Sequence, residues 1–211
     1  MIPPIVTSAI FQVTLPVSQN EFFYGRLGNP TRQVLEENLA ALDNAKYGLA
    51  FSAGVAAITA VITTLKSGDG IIASKHFYTG TIDVLYMAER LGIEVAYVDF
   101  TDLKNVEKAI KENTKMVWTE PTMNPLMLCV DIKALADLIH AKSSAILVVD
   151  NTFLTPYFLR PLELGADVAL YSVTKYFCGH SDVIGGSLAV NDDNLYKTLR
   201  ASQSATGTIS E

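Results

Sequence analysis

Cysteine and histidine are scarce in this 211-residue chain: it has two cysteines, Cys129 and Cys178, and three histidines, His76, His140 and His180. Two cysteines so far apart exclude a disulfide framework and a zinc motif, and the histidines have no ligand spacing. Both thiols read as reduced, which points to a cytoplasmic setting. Positive charge is in deficit too, with 16 Lys and Arg against 22 Asp and Glu and a formal net charge of -6. That balance argues against a nucleic-acid-binding face. An anionic ligand would have to be met by local donors such as helix N-termini. Two glycine signatures of nucleotide binding are missing: there is no Gly-x-Gly-x-x-Gly and no Gly-Lys-Ser/Thr ending. A nicotinamide oxidoreductase would thus rest on an α/β pattern alone. Met1 to Ile10 has no basic stretch leading into a long apolar one, so no signal peptide is expected.

What is present is a globular composition, 49% hydrophobic and 18% charged, on a chain long enough for one large α/β domain with an arm. From Tyr47 to Leu65 no residue is charged, and that length would cross a bilayer. Gly48, Ser52, Gly54, Thr59, Thr63 and Thr64 interrupt it, however, so it reads as a buried strand, a tight loop and a buried helix of a soluble protein. The segment through Tyr24 holds Pro3, Pro4 and Pro16 without a sustained period and reads as an irregular arm. Asn29-Pro30 then provides a cap and a first helical position, and Val34, Leu35, Leu39 and Leu42 suggest one apolar helical face.

Beyond this point short apolar runs alternate with helical patterns. Strands are expected at Gly48–Phe51, Gly70–Ser74, Glu94–Asp99, Lys115–Thr119, Ala145–Val149, Asp167–Ser172 and Gly186–Val190. Helices are expected at Val55–Leu65, Thr81–Leu91, Leu103–Lys111 and Ile132–Ala141. The alternation predicts a layered α/β domain with a mostly parallel sheet, and Ala145–Val149, apolar on both faces, belongs at its centre.

Ligands of such sheets sit beyond the carboxyl ends of the strands, and three segments fall there. Ser52-Ala53-Gly54-Val55-Ala56-Ala57 puts small residues at a helix N-terminus, where free N–H groups and the helix dipole favour an anion. Ser172-Val173-Thr174-Lys175 sets an amine beside two hydroxyls; the amine can form an imine once deprotonated, which burial helps. Asp150 could pair with a protonated ring nitrogen. Taken singly, each has a plain alternative: close packing, a surface loop lysine, a polar strand end.

Together they resemble a known family. Tyr24-Gly25-Arg26-Leu27-Gly28-Asn29-Pro30-Thr31, Ser52 to Ala57, Tyr78-Thr79-Gly80-Thr81, Glu120 and Asn124-Pro125 are similar, in this order, to the cystathionine γ-lyase, γ-synthase and methionine γ-lyase group of pyridoxal-phosphate (PLP) enzymes. So are Val148 to Phe153, Leu164 to Asp167, and Ser172 to Tyr176 leading to Gly179 to Val183. The resemblance implies an aspartate-aminotransferase-like (fold type I) large domain, with a mostly parallel mixed sheet between helices. It also implies an arm over residues 1–28, a PLP-binding domain over 29–211, and a smaller C-terminal domain that this chain lacks.

It further implies roles. Lys175 would anchor PLP and move protons at the substrate Cα, and Asp150 would pair with the pyridine nitrogen. Tyr78 would stack on the ring and exchange a proton with substrate. Gly54 and Val55 amides, with Ser172 and Thr174 hydroxyls, would hold the phosphate. Asn124 would hydrogen-bond the phenolic oxygen. Tyr24 and Arg26 would reach the phosphate of a neighbouring subunit, giving shared sites in a dimer or tetramer. The implied reaction is transsulfuration, the α,γ-elimination of L-cystathionine to cysteine, 2-oxobutanoate and ammonia. Ala45-Lys46-Tyr47 and Pro156 to Pro161 are most similar to the γ-lyases. A methionine γ-lyase would carry a cysteine in the loop that here reads Tyr78-Thr79-Gly80-Thr81, while a γ-synthase keeps nearly the same cofactor site.

The chain departs from the family pattern in three places. Ser52 and Ala53 are transposed before the cradle glycine. In Glu120-Pro121-Thr122-Met123-Asn124-Pro125 the first proline comes one place early. A locally altered loop around a usable site is expected there. No arginine matches the family's clamp for the substrate carboxylate, so a PLP-binding domain without turnover is the alternative.

Overall fold

The computed structural model describes residues 3–12 and 22–210. Pro16 of the expected arm lies outside them. The described arm is pinned to the first helix: Val6 N–H donates to Thr31 Oγ1 (2.8 Å), Asn29 Nδ2 donates to the Val6 carbonyl (2.9 Å), and Ile10 bridges Tyr24 in antiparallel fashion.

Helix α1 (Pro30–Leu42) begins where the sequence places it, with Asn29 Oδ1 accepting the Thr31 and Arg32 N–H groups. Its buried face differs from the expected one. Arg32, Glu36, Leu39 and Ala40 are buried, whereas Leu35 and Leu42 are exposed. The reason is polar: Glu36 accepts the N–H of Ala50 and pairs with Arg200 (2.8 Å), so α1 docks through hydrogen bonds that an apolar period does not reveal.

The main sheet comprises β1 (Tyr47–Phe51), β2 (Gly70–Ser74), β3 (Glu94–Val98), β4 (Thr114–Thr119), β7 (Ile146–Asp150), β8 (Val168–Ser172) and β9 (Gly186–Val190), in the order β1-β9-β8-β7-β4-β2-β3. All seven expected strands are present, within a residue at each end. β3, β2, β4, β7 and β8 are paired in parallel; β9 runs against them, and β1, antiparallel to β9, returns to their direction. The apolar run ending in Asp150 is the fourth of the seven strands, as its two-faced hydrophobicity requires.

Successive strand residues face opposite layers. Met116, Trp118 and Val148 pack against α2 (Gly54–Ile62) and α3 (Thr79–Arg90), joined by Leu199 of α7 (Asp193–Thr206). Val117, Leu147 and Val149 pack against α4 (Leu103–Ala109) and α5 (Ile132–Lys142). The result is a three-layer α/β/α domain. Among the described residues no helix is long and apolar enough to cross a membrane.

Three elements have no sequence counterpart: a hairpin of β5 (Thr122–Met123) and β6 (Leu128–Cys129), the single-turn α6 (Thr155–Phe158), and α7. The first two are below the length at which periodicity registers. α7 is polar along most of its length; Leu195, Tyr196 and Leu199 pack on the core but fill little more than one turn, too little for a sustained period.

Candidate active site

The parallel register sets the end of β7 beside β8, with Asp150 opposite Leu170 and Ser172 two residues further on. α2 starts just beyond β1, and its first residue approaches β8 closely. A Cβ on Gly54 would stand 3.0 Å from Ser172 Cβ and 3.1 Å from its hydroxyl. Between these ends lies a cleft of about 530 Å³ lined by Gly54, Val55, Tyr78, Asn124, Asp150, Ser172, Thr174 and Lys175. Eight of the ten residues singled out in the sequence thus share one cavity.

One wall of the cleft is a set of neutral donors. The N-cap of α2, Ala53, is extended and gives the helix no side-chain hydrogen bond, so its first N–H groups face the cleft unpaired by any side chain. The Thr174 hydroxyl accepts Gly185 N–H (3.0 Å) and donates to the Gly185 carbonyl (3.2 Å), a proton it would turn to a phosphate, while Ser172 Oγ borders Gly54. Ala53, not Ser52, lines this wall, so the transposition leaves a small residue where the seat needs one.

The opposite wall carries carboxylates. Burial holds Asp150 above the usual carboxylate range, against two hydrogen bonds from Thr152 that favour the anion. Both go to Oδ1, from the Thr152 N–H (3.1 Å) and hydroxyl (2.6 Å). The same hydroxyl oxygen accepts the Ser172 N–H (2.8 Å), so Thr152 ties the carboxylate to β8 and leaves Oδ2 for a ligand. Glu120, at the end of β4, is 6% exposed. Burial, and then the charge of Asp150, push its carboxyl up to about 7.

Neither Thr152 nor Glu120 has a role in the sequence reading. Thr152 does follow Asp150 by two residues, the spacing of a side-chain turn, which is a local signal for it. Glu120 has none, because its partners are separated from it in the chain.

Lys175 is exposed on the cleft wall, where the turn after Ser172 carries it. It joins none of the ion pairs among the described residues. Tyr24 and Arg26 do not line this cleft. Arg26 Nη1 donates to the Ser204 carbonyl (2.5 Å), and its guanidinium lies 5.3 Å from the centre of the Tyr24 ring.

Comparison with known proteins places this arrangement. The chain is 44% identical over 210 residues to human cystathionine gamma-lyase, a match covering 99% of this chain and 52% of the human protein. It superposes on metB from Corynebacterium glutamicum with a TM-score of 0.95 at 41% identity, covering 99% of this chain and 55% of that one. CalE6 from Micromonospora echinospora has been described both as a cystathionine gamma lyase and, in its apo form, as a methionine gamma lyase. Its two structures match with TM-scores of 0.94 and 0.93 at 37% and 36% identity, covering 98% and 99% of this chain and 55% and 56% of theirs. The chain spans about half the length of the curated relatives it matches. The family model for Cys/Met metabolism PLP-dependent enzymes matches residues 1–211, and the chain belongs to that family.

Proposed function

We propose that this chain is the cofactor-holding part of a PLP-dependent carbon–sulfur lyase of transsulfuration, cleaving L-cystathionine to cysteine, 2-oxobutanoate and ammonia. One observation carries the reading: Lys175 and the free Oδ2 of Asp150 share a cleft with the side-chain-free N-terminus of α2. These residues fit PLP. The α2 amides and the Ser172 and Thr174 hydroxyls suit a phosphate, and the close seat at Gly54 leaves no room for a larger residue.

When bound, PLP supplies an electron sink for the charge left when a substrate Cα loses its proton. Asp150 Oδ2 would hold a protonated ring nitrogen, whose positive charge would bring the buried carboxyl back to its anionic form. Thr152 keeps that carboxylate aimed. Lys175 would provide the covalent anchor and then move protons at the substrate Cα, the charge left there acidifying Cβ so that its proton and then the γ-sulfur can leave. Tyr78 would lie over the ring, and Asn124 would donate to its phenolic oxygen. Tyr24 and Arg26, which do not line their own cleft, would serve the phosphate of a second copy, making a dimer or tetramer with shared sites. The same reading treats residues 1–28 as an arm and 29–211 as the PLP-binding domain, in the cytoplasm, where the unpaired Cys129 and Cys178 remain reduced.

Borohydride reduction after PLP incubation, with peptide mapping, is the test. A pyridoxyl adduct confined to the Lys175 peptide is the expected result; none on a folded protein would overturn the reading. Turnover of cystathionine alone, against methionine or an activated homoserine ester with cysteine, then separates γ-lyase from methionine γ-lyase and γ-synthase. A second reading, a PLP-binding domain without turnover, is favoured by the span of half the relatives' length, and a loaded protein inert on all three substrates would establish it.

A further inference from the structure

Glu120 is buried, charged and unused by the chemistry above. Its two oxygens point to different segments. Oε1 accepts the N–H of Tyr78 (2.7 Å), and Oε2 accepts the N–H of Asn124 (3.0 Å). Tyr78 is the N-cap of α3, which has no side-chain cap of its own, while Asn124 sits just after β5 in the hairpin that the early proline alters. One carboxylate at the end of β4 therefore bridges two loops that meet nowhere else in the chain order. Both loops deliver a side chain to the cleft.

A residue that only filled space here would be apolar. A buried carboxylate costs solvation that two amide hydrogen bonds offset only in part. The charge of Asp150 on the same wall makes it less favourable still. The bridge ties the Tyr78 backbone to the Asn124 backbone, beside the contact of the Ser74 hydroxyl with the Met123 sulfur (2.7 Å), and so fixes where the two side chains enter the cleft.

We infer that Glu120 is a positioning residue that clamps the Tyr78 and Asn124 amides together and so sets the orientation of the bound cofactor ring. This rests on the PLP reading of the cleft. Glu120→Gln is the informative change. A carboxamide offers one acceptor oxygen and one NH₂ donor, so it satisfies one amide and sets donor against donor at the other. Glu120→Asp keeps both acceptors on a shorter arm. Glu36→Gln weakens a buried carboxylate network between α1, β1 and α7, away from the cleft, and controls for general loosening.

The measurement is PLP titration followed by absorbance, together with the visible circular dichroism of the bound cofactor per molecule bound, which reports ring orientation independently of occupancy. For E120Q we expect about tenfold weaker binding and a reduced dichroism per bound cofactor, with partial recovery in E120D and no change of dichroism in E36Q. If wild type binds and E120Q matches it in affinity and in dichroism, Glu120 does not position the ring, while the PLP reading stands. If wild type binds no PLP, both fall.

Should E120Q not fold, amide hydrogen exchange on the wild type decides. Tyr78 and Asn124 amides protected together, and slowed together by PLP, support the clamp. Exchange of either at the rate of an open peptide overturns it.

Discussion

The two walls of the cleft solve the same problem, holding an ionic ligand, with opposite materials. The α2 and β8 wall meets its ligand with backbone N–H groups and hydroxyls, has Lys175 at its edge, and is anchored in a helix and a sheet strand. The β4 and β7 wall uses two buried carboxyls, Glu120 and Asp150, each held in place by neighbouring N–H or hydroxyl donors. A wall of dipoles needs only close approach, so its weak point is steric and its behaviour hardly depends on pH. A wall of buried acids stores desolvation, so its weak point is protonation, and it gains most from a cationic partner.

The largest effects should come from breaking the first wall and its lysine. Lys175→Ala removes the amine, so the borohydride-stable adduct should vanish, and peptide mapping checks this. Gly54→Val places a branched side chain where even a Cβ stands 3.0 Å from Ser172. PLP affinity should fall by about a hundredfold, on the order of 3 kcal/mol, with little dependence on pH, and absorbance titration measures it.

The second wall should respond to pH. Glu120 titrates at about 7 in the fold, above the 4.5 of an unstrained glutamate. The folded protein therefore holds a proton that the unfolded chain has released, and stability falls as pH rises through that window. The contribution of this group lost between about pH 5 and about pH 8 is up to roughly 3 kcal/mol. Glu120→Gln has no such proton, so urea unfolding of the PLP-free proteins should give E120Q a flatter stability profile than wild type across this range. Asp43, which burial raises to about 6, and Asp150, which burial also raises, slope in the same direction and remain in both proteins, so the difference reports Glu120 together with its coupling to Asp150. Equal slopes would mean that the second wall is not under charge strain.

The same contrast explains what the sequence reveals. The first wall is local: Gly54 and Val55 are adjacent, Ser172, Thr174 and Lys175 span four positions, and a strand–helix or strand–turn junction brings each group to the cleft. Strand ends were legible because the central strands are apolar on both faces. Glu120 was quoted in the family likeness yet had no assignable task, since its hydrogen bonds run to residues 42 positions upstream and 4 downstream across a hairpin too short to show a period. The buried face of α1 and the whole of α7 escape the sequence for a related reason. They meet through Glu36, Arg200 and Gln203, and a buried polar network has the hydrophobic signature of a surface. Lys175 stands exposed on the cleft wall, and no residue pattern near it encodes its degree of burial.

The smallest expected effect is the sharpest, because its two parts have opposite signs. Gly80 lies in the first turn of α3, and a Cβ there would stand 2.4 Å from Cε1 of the Tyr78 ring. The ring is the part that can move, so Gly80→Ala should swing it while the Glu120 contact keeps the Tyr78 backbone in place. Alanine also raises helix propensity by about 1 kcal/mol, so the PLP-free protein should become slightly more stable in urea. PLP affinity should nonetheless fall about threefold, since stacking on the ring is a modest part of the binding free energy. A stability gain with unchanged affinity and unchanged dichroism would show that the Tyr78 ring does not lie over the cofactor. The charged wall would then hold its ligand through Asp150 and Asn124 without help from the ring that Glu120 steadies.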